Sequence, residues 1–66
     1  MKEYTLYAEL SSGNNGEWLG EMSVWAGDLQ EAHTMARKWA RHQASEHGAK
    51  VVDAYARDEQ TGEQSQ

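Results

Sequence analysis

The chain contains no cysteine, no proline and no phenylalanine. Without cysteine there is neither a disulfide framework nor a thiolate metal site, and very small extracellular domains usually rely on such staples. Without proline there is no rigid linker and no proline-rich ligand segment. Long apolar runs are missing as well. Nothing approaches the ~18 residues that mark a membrane span, and the opening MKEYTLYAEL carries charges where a signal peptide has an apolar stretch. The expected setting is therefore soluble, mature and cytoplasmic, with no membrane contact. Sixty-six residues make one domain, and a domain of this size buries only about 60% of its unfolded surface. That leaves little room for a deep pocket. No internal repeat is visible.

The motifs of common catalytic chemistry are missing too. There is no glycine-rich loop of P-loop or Rossmann spacing, and Ser11, Ser12 and Ser23 have no base placed by a recognisable pattern. Glu17 and Glu21 form a carboxylate pair, but on an open strand with nothing to exclude water. His42 and Glu46 stand four apart, with His47 adjacent, whereas a zinc site needs three or four converging ligands. These histidines read as solvated helix residues. Neither enzymatic activity nor a cofactor or metal is expected.

What is present is charge, unevenly distributed. The stretch Leu29–His47 holds Arg37, Lys38 and Arg41 against Glu31 and Glu46, for +1. The remainder holds Glu3, Glu9, Glu17, Glu21, Asp28, Asp53, Asp58, Glu59 and Glu63 against Lys2, Lys50 and Arg57, for −6. The total is −5. An acidic balance opposes general affinity for phosphate backbones. Concentrated outside the helix, among Trp and Tyr residues, it suits a surface that meets a positive partner.

Hydrophobic periodicity gives the element order. Residues Lys2 to Leu10 alternate, with Tyr4, Leu6, Ala8 and Leu10 on one side, as in a half-buried strand. Ser11-Ser12-Gly13-Asn14-Asn15-Gly16 is a cluster of turn formers ending in Asn-Gly, expected to close a hairpin. Glu17 to Ala26 forms the second strand, with Gly20 marking a bulge or a close approach of the helix. Asp28 is a good N-cap and Glu31 supplies the capping-box spacing. Leu29, Ala32, Ala36, Trp39, Ala40 and Gln43/Ala44 recur at helical spacing, and Gly48 provides a left-handed stop. Ala49 to Arg57 is the third strand, with Val52, Ala54 and Ala56 expected toward the helix and Val51, Asp53, Tyr55 and Arg57 outward. A right-handed crossover then gives an α+β fold, β-β-α-β, with a three-stranded antiparallel sheet of order 2-1-3 and one helix on one face. Residues 1–57 form the compact domain and 58–66 a polar, flexible tail.

The uncovered sheet face is the candidate site. On this parity it carries Glu3, Tyr7, Glu9, Glu17, Leu19, Glu21, Trp25, Asp53 and Tyr55. Exposed aromatics on a small sheet also serve single-strand RNA binders, but those need cations for the phosphates, and here the neighbours are carboxylates. Acidic plus aromatic is the profile of a protein-binding patch that engages Arg and Lys. The plain alternative is a solvated acidic face whose aromatics serve strand propensity. Two other readings stay open. Arg37, Lys38 and Arg41, with His33 or His42, offer a basic helix face for nucleic acid, although cations near a helix C-terminus also suit its dipole. Self-assembly through the open sheet or an edge strand is the other, although a monomer is expected.

In being very short, acidic, cysteine-free and built as one open sheet with a helix, the chain resembles the small inhibitor proteins by which bacteriophages disable host defences, above all the anti-CRISPR proteins. The resemblance implies a stoichiometric inhibitor that binds a host CRISPR effector, a basic nucleic-acid-binding complex, and acts as a DNA mimic. Carboxylates on neighbouring strands lie about 5–8 Å apart, comparable to the separation of neighbouring phosphates. On that reading Glu9, Glu17, Glu21 and Asp53 stand in for phosphates, Tyr7, Trp25 and Tyr55 are anchors, and Asp58 and Glu59 extend the surface. The chain is also similar to bacterial antitoxin-type domains in its hairpin with Trp18-Leu19-Gly20-Glu21 leading to Glu31-Ala32 at the helix start. That similarity implies a toxin-neutralising protein that often dimerises. Both imply a protein that blocks another protein.

Overall fold

The computed structural model describes residues 1–13 and 16–66. Strands β1 (Lys2–Ser11), β2 (Glu17–Ala26) and β3 (Lys50–Asp58) and helix α1 (Leu29–His47) follow in the order β-β-α-β. The sheet is antiparallel with order β2-β1-β3, the α+β architecture that the periodicity predicts. The hairpin is closed from Ser12, whose N–H and hydroxyl both donate to the Gly16 carbonyl oxygen, at 3.0 and 3.2 Å. Asn14 and Asn15, part of the expected turn, lie outside the described residues.

Both ends of α1 follow from their capping residues. The Asp28 Oδ1 accepts from the Glu31 N–H at 2.8 Å, and the Glu31 carboxylate accepts in return from the Gly27 N–H at 2.8 Å. Two donors that no helical carbonyl can reach are thereby satisfied. Gly48 takes the left-handed conformation, φ 62°, and the Ala49 N–H returns to the Ala44 carbonyl at 2.8 Å. Between these caps the buried face of the helix is alanine alone: Ala32, Ala36, Ala40 and Ala44. Against it lie Ala8, Ala54 and Ala56, with Tyr4, Leu6 and Leu10 as the largest fully buried side chains. Small residues on both layers bring helix and sheet together, so dispersion contacts stay close-packed despite little side-chain volume.

The helix lies over β1 and β3 and touches β2 sparingly. At the start of β2 the space above the strand is occupied from the sheet side by Trp18, which meets Trp39 edge-on at 6.1 Å and stacks on His47 at 5.9 Å. This accounts for Gly20. Pairing runs through Ala8↔Gly20 without a bulge, and the group that approaches Gly20 is the Trp18 indole, into which a Cβ there would collide. The close approach is thus made by a strand neighbour, not by the helix.

A second correction concerns β3. The register shifts between Glu9↔Asp53 and Leu10↔Val51, so Val52 has no partner on β1. An extra residue in one strand reverses the alternation beyond it. Val51 consequently packs into the core cluster of Ala8, Ala40 and Ala54, while Val52, expected toward the helix, is 56% exposed.

The last residues fold back on β3, where a loose tail is the sequence expectation. The Ser65 N–H donates to the Ala56 carbonyl at 2.8 Å, and Gln64 bridges to Arg57. The Ser65 hydroxyl oxygen accepts from the Ala56 N–H at 2.8 Å and lies 2.6 Å from His33 Nδ1. The Ser65 hydroxyl thereby links the β3 backbone to the imidazole of the helix. The polar composition of the segment thus makes backbone and side-chain bonds instead of a solvated end.

Candidate functional site: the acidic aromatic sheet face

Alternation along three paired strands arranges the uncovered face in rows. From one end these are Trp25–Glu3, then Ser23–Thr5–Arg57, then Glu21–Tyr7–Tyr55, then Leu19–Glu9–Asp53, and beyond the bulge Glu17–Ser11–Lys50. The structure therefore brings Tyr7, Glu9, Glu17, Glu21, Trp25, Asp53 and Tyr55 onto one surface, as their parity predicts. At its centre Tyr7 and Tyr55 stack with ring centroids 5.0 Å apart and planes at 18°. Arg57 lies over the Tyr7 ring at 5.2 Å, a cation–π contact.

Glu9 and Asp53 stand directly opposite each other across β1 and β3. Like charges in that position destabilise a sheet. The ion pairs among the described residues are Lys2–Asp58, His42–Glu46 and Arg57–Glu59, so neither Glu9 nor Asp53 is neutralised by one, and the same holds for Glu17 and Glu21. One Asp53 oxygen accepts from the Ala54 N–H at 2.9 Å, which orients the carboxylate without cancelling its charge. Tyr7, Glu9, Leu19, Glu21, Asp53 and Tyr55 together line a shallow concavity of about 420 Å³. Its chemistry, carboxylates around flat aromatic rings, suits a guanidinium group, which pairs with the former and stacks on the latter.

Two nominated residues do not join this surface. Asp58 pairs with Tyr4 at the helix-facing side and is only 5% exposed. Its Oδ1 accepts from the N–H groups of Gln60 and Thr61 at 2.8 and 3.2 Å, and its Oδ2 faces Lys2 Nζ at 3.3 Å. The Gln60 N–H, with the Thr61 N–H and Lys2, outweighs the opposing effect of burial and holds this carboxyl below the usual value. Asp58 closes the C-terminal turn and is not presented outward. Glu59 sits at the margin, 4.0 Å from the Arg57 guanidinium.

The sequence reading leaves two features out. Lys50 joins Arg57 on the acidic face, opposite Ser11 beyond the bulge, and Leu19, placed on this face by its parity, is 73% exposed and edges the concavity. The second is a groove of about 730 Å³ on the helix side, where Met22, Val24, Met35 and Trp39 are bordered by Lys38, Arg41 and His42. It exists because the alanine strip seats α1 over β1 and β3, a lateral position that periodicity does not encode. Arg37 borders a different depression, beside His33 and Ser65, so the three helix cations do not line one groove.

Among the described residues no three His, Asp or Glu side chains converge as metal ligands would, and no helix is long and apolar enough to cross a membrane. No family model matches the chain, and comparison with the curated proteins and with the solved structures finds no match.

Proposed function

We propose that the chain is a non-enzymatic protein inhibitor that sets its acidic sheet face against the basic nucleic-acid-binding site of another protein. The supporting observation is the Glu9–Asp53 opposition. Two carboxylates held face to face cost the isolated fold stability, and a cation entering between them removes that cost. An arginine in the concavity has both carboxylates within reach and the Tyr7–Tyr55 stack as a flat support, while Glu17 and Glu21 extend the negative surface along β2. A site built to hold a nucleic-acid backbone presents such arginines in rows. The resemblance to phage anti-CRISPR proteins makes a CRISPR effector the class of target, with the acidic face acting as a DNA mimic.

The test has two stages. NMR titration with an oligoarginine peptide is expected to move the resonances of Tyr7, Glu9, Glu21, Asp53 and Tyr55, an effect lost in E9Q/D53N and weakened by salt. Wild type, but not E9Q/D53N, is then expected to displace target DNA from a reconstituted CRISPR effector in a gel-shift assay. Peptide shifts confined to other residues would remove the acidic face from consideration. Direct binding of bare duplex DNA at low salt would move the function to Lys38 and Arg41.

A further inference from the structure

Among the described residues β2 is an edge without a neighbour. Its inner side pairs with β1 along the whole strand, and its outer side meets no other described strand. The far edge of the sheet differs, because Gln64 and Ser65 return against Arg57 and Ala56 there. An open edge offers a row of backbone N–H and C=O groups, which proteins usually blunt with charged side chains, proline, a bulge or brevity. β2 is ten residues long, EWLGEMSVWA, with no proline and no bulge, and its charges are the two carboxylates Glu17 and Glu21. It also carries Leu19, Met22 and Trp25, three of the five exposed large hydrophobic residues.

We infer that a second copy of this chain occupies the edge, β2 against β2, antiparallel about a two-fold axis at Met22. Residues directly opposite each other share a sheet face, so both helices lie on one side only when the facing residue numbers have the same parity. With Met22 opposite Met22, Leu19 faces Trp25 at both ends of the contact. Glu21 faces Ser23, Gly20 faces Val24, and Glu17 faces Gly27. Leu19, Met22 and Trp25, the exposed large apolar side chains of the edge, each gain an apolar partner, and no carboxylate faces another. The neighbouring registers fail, the first on both counts and the second on apolar pairing. Centring on Glu21 sets two carboxylates against each other and leaves Leu19 opposite Ser23, and centring on Ser23 sets Leu19 against Gly27 and Glu21 against Trp25. Opposed like charges destabilise and apolar cross-strand pairs stabilise, so the Met22 register is selected. The contact uses the same edge on both copies and therefore closes at a dimer. It joins two sheets into one, with Glu9 and Asp53 on β1 and β3 outside the contact, independently of what they bind.

Cysteine scanning tests both the partner and the register. The chain has no cysteine of its own, so M22C adds a single thiol. Directly opposed Cα atoms are about 4.5–5.5 Å apart, within disulfide reach. Mild oxidation is expected to crosslink M22C into a covalent dimer. L19C is expected not to crosslink, because its counterpart lies six residues along the strand, about 20 Å away, whereas L19C/W25C is expected to crosslink. Light scattering of wild type is expected to give twice the 7.4 kDa chain mass, and M22K, which sets two ammonium groups on the axis, to give the monomer with an unchanged circular dichroism spectrum. If M22K fails to fold, the crosslinking pattern decides alone. A 7.4 kDa mass at every concentration, no crosslinking of M22C, or equal crosslinking of L19C and M22C overturns the inference.

Discussion

The Trp18 indole lies across Gly20, the residue two places further along its own strand, and occupies the space that a Cβ would need. From there it meets both Trp39 and His47 on the helix. Local sequence and tertiary packing are joined at this point, since the absence of one side chain lets another reach the layer above.

G20A is therefore expected to displace Trp18 and lose aromatic contacts worth about 0.5–1.5 kcal/mol. Urea denaturation measures the loss, and the near-ultraviolet circular dichroism of the tryptophans is expected to change with it. An unchanged tryptophan signal would contradict the contact.

The opposed carboxylates give a prediction of opposite sign. E9Q is expected to stabilise the isolated protein by about 0.2–1 kcal/mol at low salt, with the gain shrinking as salt is added. A denaturant series at two ionic strengths reads this directly. Stability gained where binding is lost is the usual relation at a site kept for function.

Asp58 governs an acid limb of stability. Its carboxyl is held below the usual value first by the Gln60 N–H, then by the Thr61 N–H and Lys2, against the effect of burial. The folded state therefore binds a proton less readily than the unfolded chain, and stability falls as protons are added. The contribution is full above about pH 4, the ordinary aspartate value, and is lost as pH drops through the depressed one. The stability difference between wild type and D58N is expected to shrink over that range, measured by urea midpoints at successive pH values.

Position matters more than residue type at the β3 bulge. V51A is expected to cost clearly more than V52A, because Val51 packs on Ala8, Ala40 and Ala54 while Val52 is open to solvent. V52A is expected to stay within about 0.5 kcal/mol of wild type. Equal losses would mean that the register is not shifted.

L6A tests how little reserve the core holds. Removing a fully buried leucine costs about 2–5 kcal/mol, against about 3–10 kcal/mol of total stability for a chain of this length. The variant is expected to lose about a third or more of that reserve, read as a lower urea midpoint and a lower melting temperature by circular dichroism.

The elements themselves were legible in the sequence because each was specified by a strong local pattern. Tyr4, Leu6, Ala8 and Leu10 alternate, Asp28 and Gly48 bracket the helix, and the acidic face follows from strand parity once the pairing order is assigned. The unreadable parts were those set by tertiary contacts. The bulge at Val52 depends on how β3 meets β1, and two adjacent valines give no local signal for which one turns inward. Asp58 reads as one more surface acid until Gln60 and Thr61 wrap their amides around it. The groove beside β2 arises from where the helix rests laterally, which a repeat of alanines leaves undetermined.

The alanine contact between helix and sheet also limits how this chain can diverge. Ala32, Ala36 and Ala40 are fully enclosed, as are Ala26 and Ala56, and any larger side chain at one of them must push the two layers apart. Variation in the interior is thereby channelled toward Tyr4, Leu6 and Leu10 on β1, where one large side chain can be exchanged for another of similar volume. Descendants of a common ancestor would share a spacing of small residues long after their surfaces, and the partners those surfaces fit, had drifted apart.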